Sequence, residues 1–149
     1  MNVLLVARSI GRRSASEPLD DEGHAGIAFE DAERSWVAQA GPVQGVLTGA
    51  LTACDSWPAA FAEARGALWS SPDVTELLPV WALAERDLPV ALDEVAAFVT
   101  AFNARGLAYC YDPGPNSNSF VRLLLQAIGW DLPHPPAGAL LRGWGWNGT

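Results

Sequence analysis

The segment from residue 107 to residue 129 constrains the fold of this chain most strongly. The run Asp112-Pro113-Gly114-Pro115 forces a turn, because proline fixes φ and cannot continue a helix or a central strand. Before the turn, Leu107 to Tyr111 is apolar and aromatic and predicts a strand. After it, Ser117 to Ile128 predicts a helix that ends at Gly129. The sequence therefore predicts a strand, a rigid turn and a helix, in that order.

The start of this predicted helix is polar and carries the chemistry. A side chain at a helix N-terminus meets unpaired backbone N–H groups and the positive end of the helix dipole, which stabilise a thiolate, an alkoxide or an oxyanion. Ser117 occupies this place and is the candidate nucleophile. The same residue types are common helix caps, so a purely capping role for the run Asn116 to Ser119 is the alternative.

The rest of the chain predicts short strands mixed with helices. The elements are a strand over residues 2–8, an exposed polar loop from Gly11 to Glu22, a helix from Trp57 to Arg65, a strand from Thr75 to Ala82, a helix opening at Asp87-Leu88-Pro89 and ending at Arg105-Gly106, and an ordered strap from Trp130 to Thr149. In the second of these helices, Val95, Val99 and Phe102 recur at helical spacing and are expected to face the core. We therefore expect one α+β domain over residues 1–149, with a small antiparallel sheet packed with helices.

One predicted hairpin contains a histidine. The segments His24 to Phe29 and Ser35 to Gln39 alternate in the manner of two antiparallel strands joined by residues 30–34. If Phe29 faces Arg34 or Ser35, His24 lies near Gln39. This hairpin therefore places a histidine and a glutamine on neighbouring strands.

The run Gly114-Pro115-Asn116-Ser117-Asn118-Ser119-Phe120-Val121 resembles the hallmark Gly-Pro-Asn-Ser-Asn-Thr-Phe of a group of uncharacterised bacterial proteins. Upstream, His24-Ala25-Gly26-Ile27-Ala28 is similar to their His-Ala-aromatic-apolar-Ala segment, and Leu132 to Gly143 is similar to their Leu-Pro-rich stretch. The similarity covers about two thirds of the chain. More distantly, both resemble circularly permuted papain-like hydrolases, among them the NlpC-like and lecithin retinol acyltransferase-like groups.

In those hydrolases an early strand carries the histidine and a later helix begins with Asn-Cys. The resemblance thus implies a permuted papain-like core, with His24 as general base and Ser117 as nucleophile. It also implies a hydrolase or acyl-transfer enzyme that acts on an amide or ester bond of a peptide, a peptidoglycan fragment or an acyl substrate, without a cofactor. The wider superfamily uses Cys, and a hydroxyl must give up its proton during attack whereas a thiol is partly ionised. The alternative is therefore an inactive papain-like module that binds a peptide or an acyl group.

Several further residues have predicted roles at this site. Gln39 is the candidate for the group that fixes the imidazole tautomer. Asn116 and Asn118, together with Tyr111, are the predicted binding residues, and either asparagine could lend an amide to an oxyanion. His134 is an alternative base. Cys110 is a rival nucleophile, although its strand setting predicts a buried, inert thiol.

Composition and charge exclude several classes of protein. Nine basic and seventeen acidic residues give a net charge of −8, which disfavours binding to nucleic acid or anionic lipid. Cys54 and Cys110 are too few for a disulfide framework, and both are expected to be buried thiols in a reducing compartment. The apolar start, Met1 to Ala7, lacks the positive region of a signal peptide, and no stretch is long enough to span a membrane. No cluster has zinc-ligand spacing. We therefore expect a soluble, cytoplasmic protein, with signal-independent secretion and the oligomeric state left open.

Overall fold

A computed structural model describes residues 2–9, 23–57, 81–82, 92–130, 132, 134 and 141–148 of the chain. This part of the chain forms five strands and two helices. They are β1 (Asn2–Ser9), β2 (Gly23–Glu30), β3 (Ser35–Val43), β4 (Val46–Cys54), β5 (Trp81–Ala82), α1 (Leu92–Ala104) and α2 (Ser117–Ala127). The expected α+β class with a small antiparallel sheet is confirmed.

The strands form one antiparallel sheet in the order β4-β3-β2-β1-β5. The sequence pattern predicts β3 only as far as Gln39 and predicts no strand at β4, whereas both strands are nine residues long. The turn between them explains why they pair so fully. Gln44 and Gly45 have φ values of 49° and 79°, the left-handed conformation that matches a two-residue hairpin turn to the twist of its strands.

The register between β2 and β3 differs from the predicted one. Phe29 pairs with Trp36, and Glu30 pairs with Ser35, so the predicted pairing of Phe29 with Arg34 or Ser35 is wrong. The cause is the Asp31 side chain, whose Oδ1 accepts hydrogen bonds of 2.8 Å from the backbone N–H groups of both Glu33 and Arg34. These two bonds lower the pKa of the Asp31 carboxyl group. They also shape the turn that sets the register, which strand alternation alone does not specify.

The two helices pack on one face of the sheet and bury the main core. Helix α2 lies across β2 and β3, and α1 packs against β4. Val95, Val99 and Phe102 of α1 are buried, as their helical spacing predicts. The Phe102 and Phe120 rings meet edge to face with centroids 5.0 Å apart, a favourable aromatic geometry that joins α1 to α2. The opposite face of the sheet carries a smaller cluster of Val6, Ala28, Val37 and Trp57.

Other predicted elements are shorter than expected or lie outside the described residues. Residues 107–111 form a single bridge, Val46↔Ala108, rather than a strand. Of the predicted strand from Thr75 to Ala82, the last two residues form β5, and residues 75–80 lie outside the described residues. The predicted loop from Gly11 to Glu22, and residues 58–65 of the predicted helix at Trp57, lie outside the described residues. None of the helices in the described part of the chain is long and apolar enough to cross a membrane.

The outer edge of β4 is closed at Gly49 by a side chain from α1. Asn103 Oδ1 accepts from the Gly49 N–H at 2.8 Å, and Asn103 Nδ2 donates to the Gly49 carbonyl oxygen at 2.9 Å. The bare Cα of Gly49 is needed for packing, since a Cβ there would lie 2.5 Å from the Phe120 ring. Both contacts fix how the helices sit on β4.

We expect Gly49→Ala to lower the free energy of unfolding by about 1–3 kcal/mol, because the added methyl group overpacks the core at Phe120. Urea denaturation measures this change. Gly41→Ala is the matched control, since a Cβ at Gly41 of β3 would meet no atom within 4 Å. Equal stability of the two variants would contradict the packing explanation.

Candidate active site

The N-terminus of α2 is capped by Asn116, not by Ser117. Asn116 is extended, and its Oδ1 accepts from the backbone N–H groups of Asn118 at 2.9 Å and Ser119 at 3.2 Å. In return, the Asn116 N–H donates to Ser119 Oγ at 3.1 Å, which completes a capping box. Ser117 is thus the first residue of the helix, and its hydroxyl group is not the capping group.

The amide nitrogen of the Asn116 side chain connects two further segments to the helix. Its Nδ2 donates to the carbonyl oxygens of Tyr111 at 2.6 Å and Arg142 at 2.9 Å, so both amide hydrogens are donated to the main chain. Ser119 Oγ donates to the Gly143 carbonyl oxygen at 2.7 Å. Gly143 has a φ of 79°, and a Cβ there would collide with the Asn116 carboxamide. We call residues 141–148 the C-terminal segment.

These bonds decide which N–H groups of the first turn of α2 can still receive a ligand. Within the described part of the chain, the N–H groups of Asn116, Asn118 and Ser119 are engaged in the capping box, and that of Phe120 donates to the Asn116 carbonyl oxygen. Of the N–H groups from Asn116 to Phe120, these bonds engage all but that of Ser117. Because Asn116 donates both of its amide hydrogens to the main chain, its carboxamide has none left to donate to an oxyanion.

Asn118 joins the helix start to β2. The pairing of β2 with β3 extends from Glu30↔Ser35 to Ile27↔Ala38 and ends there. Hydrogen-bonded pairs alternate along an antiparallel ladder, and the bond from Asp31 N–H to the Arg34 carbonyl oxygen shows that the odd-numbered residues of β2 face β3. The Ala25 N–H therefore points towards β3, yet it donates to Asn118 Oδ1 at 2.8 Å. The α2 N-terminus thus reaches the plane of the sheet where β2 and β3 diverge.

His24 and Gln39 form a hydrogen-bonded pair at the same divergence. His24 is 3% exposed, and its Nε2 lies 3.0 Å from Gln39 Oε1. An amide oxygen can only accept, so this bond requires the imidazole proton to be on Nε2 and makes Nδ1 the basic nitrogen of the neutral ring. The expected proximity of His24 and Gln39 is found, although the shifted register makes them diagonal neighbours rather than a directly opposed pair.

Ser117 is connected to β2 through the residue that follows it in the chain. Ser117 is 3% exposed and precedes Asn118, whose side chain is bonded to Ala25, the residue after His24. Tyr111 is half-buried, and its carbonyl oxygen accepts from Asn116. His134, the alternative base, is exposed, in contrast to the buried His24.

Both cysteines differ from their expected burial. Cys54 and Cys110 are partly exposed, so the prediction of two buried thiols is wrong. Cys54 ends the edge strand β4, where partial burial and the nearby Asp55 carboxylate raise the pKa of its thiol. Cys110 precedes the proline turn, and its Sγ lies 3.4 Å from the Asp112 carbonyl oxygen. Cys54 lies on the edge strand β4 and Cys110 lies beyond the bridge at Ala108, so neither is enclosed by strands on both sides.

An open cleft of about 380 Å³ lies between the two segments that Asn116 joins. It is lined by Asp112, Pro113, Gly143, Gly145, Trp146 and Asn147. The sequence pattern assigns no site role to the four lining residues that belong to the C-terminal segment. The signal that could have indicated them is the alternation of glycine and tryptophan in residues 143–146, since glycine allows close approach of the backbone. At the rim, Arg142 Nη1 lies 3.1 Å from Asp112 Oδ2, an exposed ion pair that contributes little to stability.

Comparison with protein-family models, with curated proteins and with solved structures finds no match for this chain. Among the described residues, no group of three or more His, Cys, Asp or Glu side chains is placed to hold a metal ion.

Proposed function

We propose that this chain is a hydrolase or acyl-transfer enzyme that cleaves an amide or ester bond, with Ser117 as nucleophile and His24 as general base. The observation that carries the proposal is the hydrogen bond between the buried His24 ring and Gln39. This bond favours the tautomer in which Nδ1 can accept a proton. Catalytic histidines are commonly oriented in this way, by a polar side chain that accepts a hydrogen bond from the other ring nitrogen.

The order of elements supports a permuted papain-like core as part of the proposal. An early strand, β2, carries the histidine, and a later helix, α2, carries the nucleophile at its first residue. The bond from Ala25 N–H to Asn118 Oδ1 links these two elements beside both residues. An antiparallel sheet packed against the nucleophile helix is compatible with such a core.

The proposed reaction begins when Ser117 Oγ attacks the carbonyl carbon of the substrate while its proton passes to His24 Nδ1. The resulting oxyanion accepts a hydrogen bond from the Ser117 N–H, near the positive end of the α2 dipole. The imidazolium ion then protonates the leaving amine or alcohol. Water or an acyl acceptor, deprotonated by the same His24, then attacks the acyl carbon, and the C–O bond to Ser117 breaks as His24 returns the proton to Ser117 Oγ. No cofactor is needed.

The substrate would be a peptide, a peptidoglycan fragment or an acyl compound. The cleft between Asp112 and Trp146 borders the segments that hold the α2 N-terminus, so it offers room for a substituent of the acyl group. A catalytically silent binding module would have the same cleft. Reactivity of Ser117 therefore separates the two functions.

A fluorophosphonate probe tests the proposal directly. We expect the native protein to gain one covalent adduct at Ser117, located by mass spectrometry of peptides, and we expect no adduct in Ser117→Ala. The matched control is Ser35→Ala, which removes another buried serine hydroxyl away from α2 and should label like the natural chain.

A second variant tests whether the site accepts a thiol, the nucleophile of the wider superfamily that the chain resembles. In Ser117→Cys, the introduced thiol should react rapidly with iodoacetamide, because the helix N-terminus and His24 favour the thiolate. If native Ser117 does not react with the probe, and the natural chain and Ser117→Cys both fail against a panel of esters and amides, the enzyme proposal is wrong and the binding module takes its place.

A further inference from the structure

We propose that Asn118 is a positioning residue, whose carboxamide sets the distance between the helix that carries the nucleophile and the strand that carries the base. The inference rests on the proposed function for its catalytic meaning, and on the burial and two hydrogen bonds of the side chain for its geometry. Asn118 is 3% exposed. Its Oδ1 accepts from the Ala25 N–H at 2.8 Å, and its Nδ2 donates to the Arg142 carbonyl oxygen at 3.0 Å.

The position of each partner gives this side chain its effect. Ala25 directly follows His24, Asn118 directly follows Ser117, and Arg142 belongs to the C-terminal segment that also holds Asn116. One carboxamide therefore joins the base strand, the nucleophile helix and the wall of the cleft. A shift of α2 along or away from β2 would break these bonds before it changed the internal bonds of either element.

The bond to Ala25 also keeps the sheet open at this point. The Ala25 N–H faces β3, and Asn118 Oδ1 occupies the place of a β3 carbonyl oxygen. Without the carboxamide, a buried N–H loses its acceptor, a situation that folded proteins avoid by moving a neighbouring group into place. Closure of β2 onto β3, or entry of water, would then move the α2 N-terminus relative to His24.

Helix stability is not the role we assign to this side chain. The capping box of α2 uses the side chains of Asn116 and Ser119 and only the backbone N–H of Asn118. Loss of the Asn118 carboxamide therefore leaves the cap in place. The expected defect is a misplaced nucleophile in a folded protein, and displacements of about 1 Å are known to slow catalysis by roughly a hundredfold.

Asn103 provides a matched control for the loss of two hydrogen bonds. Its carboxamide likewise bonds to the main chain of a strand, with the Gly49 N–H and carbonyl group, but at the outer edge of β4. Asn103→Ala should therefore lower the melting temperature about as much as Asn118→Ala without touching the site.

The first measurement is the second-order rate constant of fluorophosphonate labelling at Ser117, well below the melting temperature of each variant. We expect a fall of roughly tenfold to a hundredfold in Asn118→Ala and no change in Asn103→Ala. Asn118→Asp keeps an acceptor for the Ala25 N–H but loses the donor to the Arg142 carbonyl oxygen, so it should recover part of the lost rate. This variant also covers the case in which Asn118→Ala does not fold. Equal rates in the natural chain, Asn118→Ala and Asn118→Asp would overturn the proposal.

The second measurement does not depend on catalysis. The chain has two histidines, so the imidazole Cε1–Hε1 region of an NMR spectrum holds two signals, with exposed His134 as an internal reference. The His24 signal should move in Asn118→Ala and stay in place in Asn103→Ala. If native Ser117 is unreactive, the proposed function fails while this spectrum still decides the positioning role. An unmoved His24 signal in Asn118→Ala would then refute it.

Discussion

His24→Ala is expected to slow acylation of Ser117 by roughly a hundredfold to ten-thousandfold, the usual contribution of a general base. The hydroxyl of Ser117 is a weak nucleophile until a base accepts its proton, and Nδ1 of His24 is the nitrogen that the Gln39 bond leaves basic. The rate of fluorophosphonate labelling, followed by intact mass, measures the change. His134→Ala removes the other, exposed histidine and should label at the natural rate.

Substitutions of Gln39 test the same prediction, with smaller expected effects on the labelling rate. Gln39→Leu removes the acceptor for Nε2–H, so the ring can populate the other tautomer and turn away, and labelling should slow by a smaller factor than in His24→Ala. Gln39→Glu retains an acceptor and should label faster than Gln39→Leu. A His24→Ala protein that labels as fast as His134→Ala would show that His24 is not the base, whatever its bond to Gln39.

Asn116→Ala is expected to lower the free energy of unfolding by about 3–4 kcal/mol, the largest stability loss that we predict for this chain. The substitution removes the N-cap of α2, which alone costs about 0.5–2 kcal/mol. It also removes the amide donors of two partly buried hydrogen bonds, to the carbonyl oxygens of Tyr111 and Arg142. For a domain of this size the melting temperature should fall by roughly 6–16 °C.

Two further variants divide this loss into its parts. Asn116→Asp keeps the oxygen that accepts from Asn118 and Ser119 but loses both donated hydrogens, so it should lie between Asn116→Ala and the natural chain. Asn2→Ala, in which an exposed asparagine loses one long bond of 3.4 Å to Glu30, is the control and should change little. Asn116→Ala as stable as Asn2→Ala would mean that the C-terminal segment is held mainly by other contacts, such as the bond from Arg122 to the Trp144 carbonyl oxygen.

Local elements of this fold could be predicted from the sequence where one periodicity dominates. The strand at residues 2–8, the buried face of α1 and the extent of α2 follow from apolar spacing and from the glycines at 106 and 129, which have φ values of 59° and 88°. Strand β4 could not be predicted in the same way. Its residues are small and mixed, and its pairing depends on the Gln44–Gly45 turn and on closure of its edge by Asn103.

For the candidate site, the sequence by itself determined which residue types are present and their order along the chain. It indicated that His24 and Gln39 lie on neighbouring strands and that Ser117 starts a helix after a proline turn. Whether those residues serve catalysis stays a prediction for the labelling experiments. The neighbourhood of His24 and Gln39 could be anticipated because a hairpin is a local structure. The shift from Phe29 opposite Arg34 to Phe29 opposite Trp36 is two residues, which keeps both side chains on the same face as diagonal neighbours.

Only the tertiary structure decided how the four polar residues from Asn116 to Ser119 divide their roles. Each of these side chains can bond either to its own helix or to a distant segment, and the chemistry of an amide or a hydroxyl group is the same in both cases. The choice depends on which carbonyl and N–H groups the rest of the fold brings within about 3 Å. Here the divergence of β2 from β3 presents the Ala25 N–H to Asn118, and the C-terminal segment presents the Arg142 carbonyl oxygen to both asparagines, across sequence separations that no local pattern records.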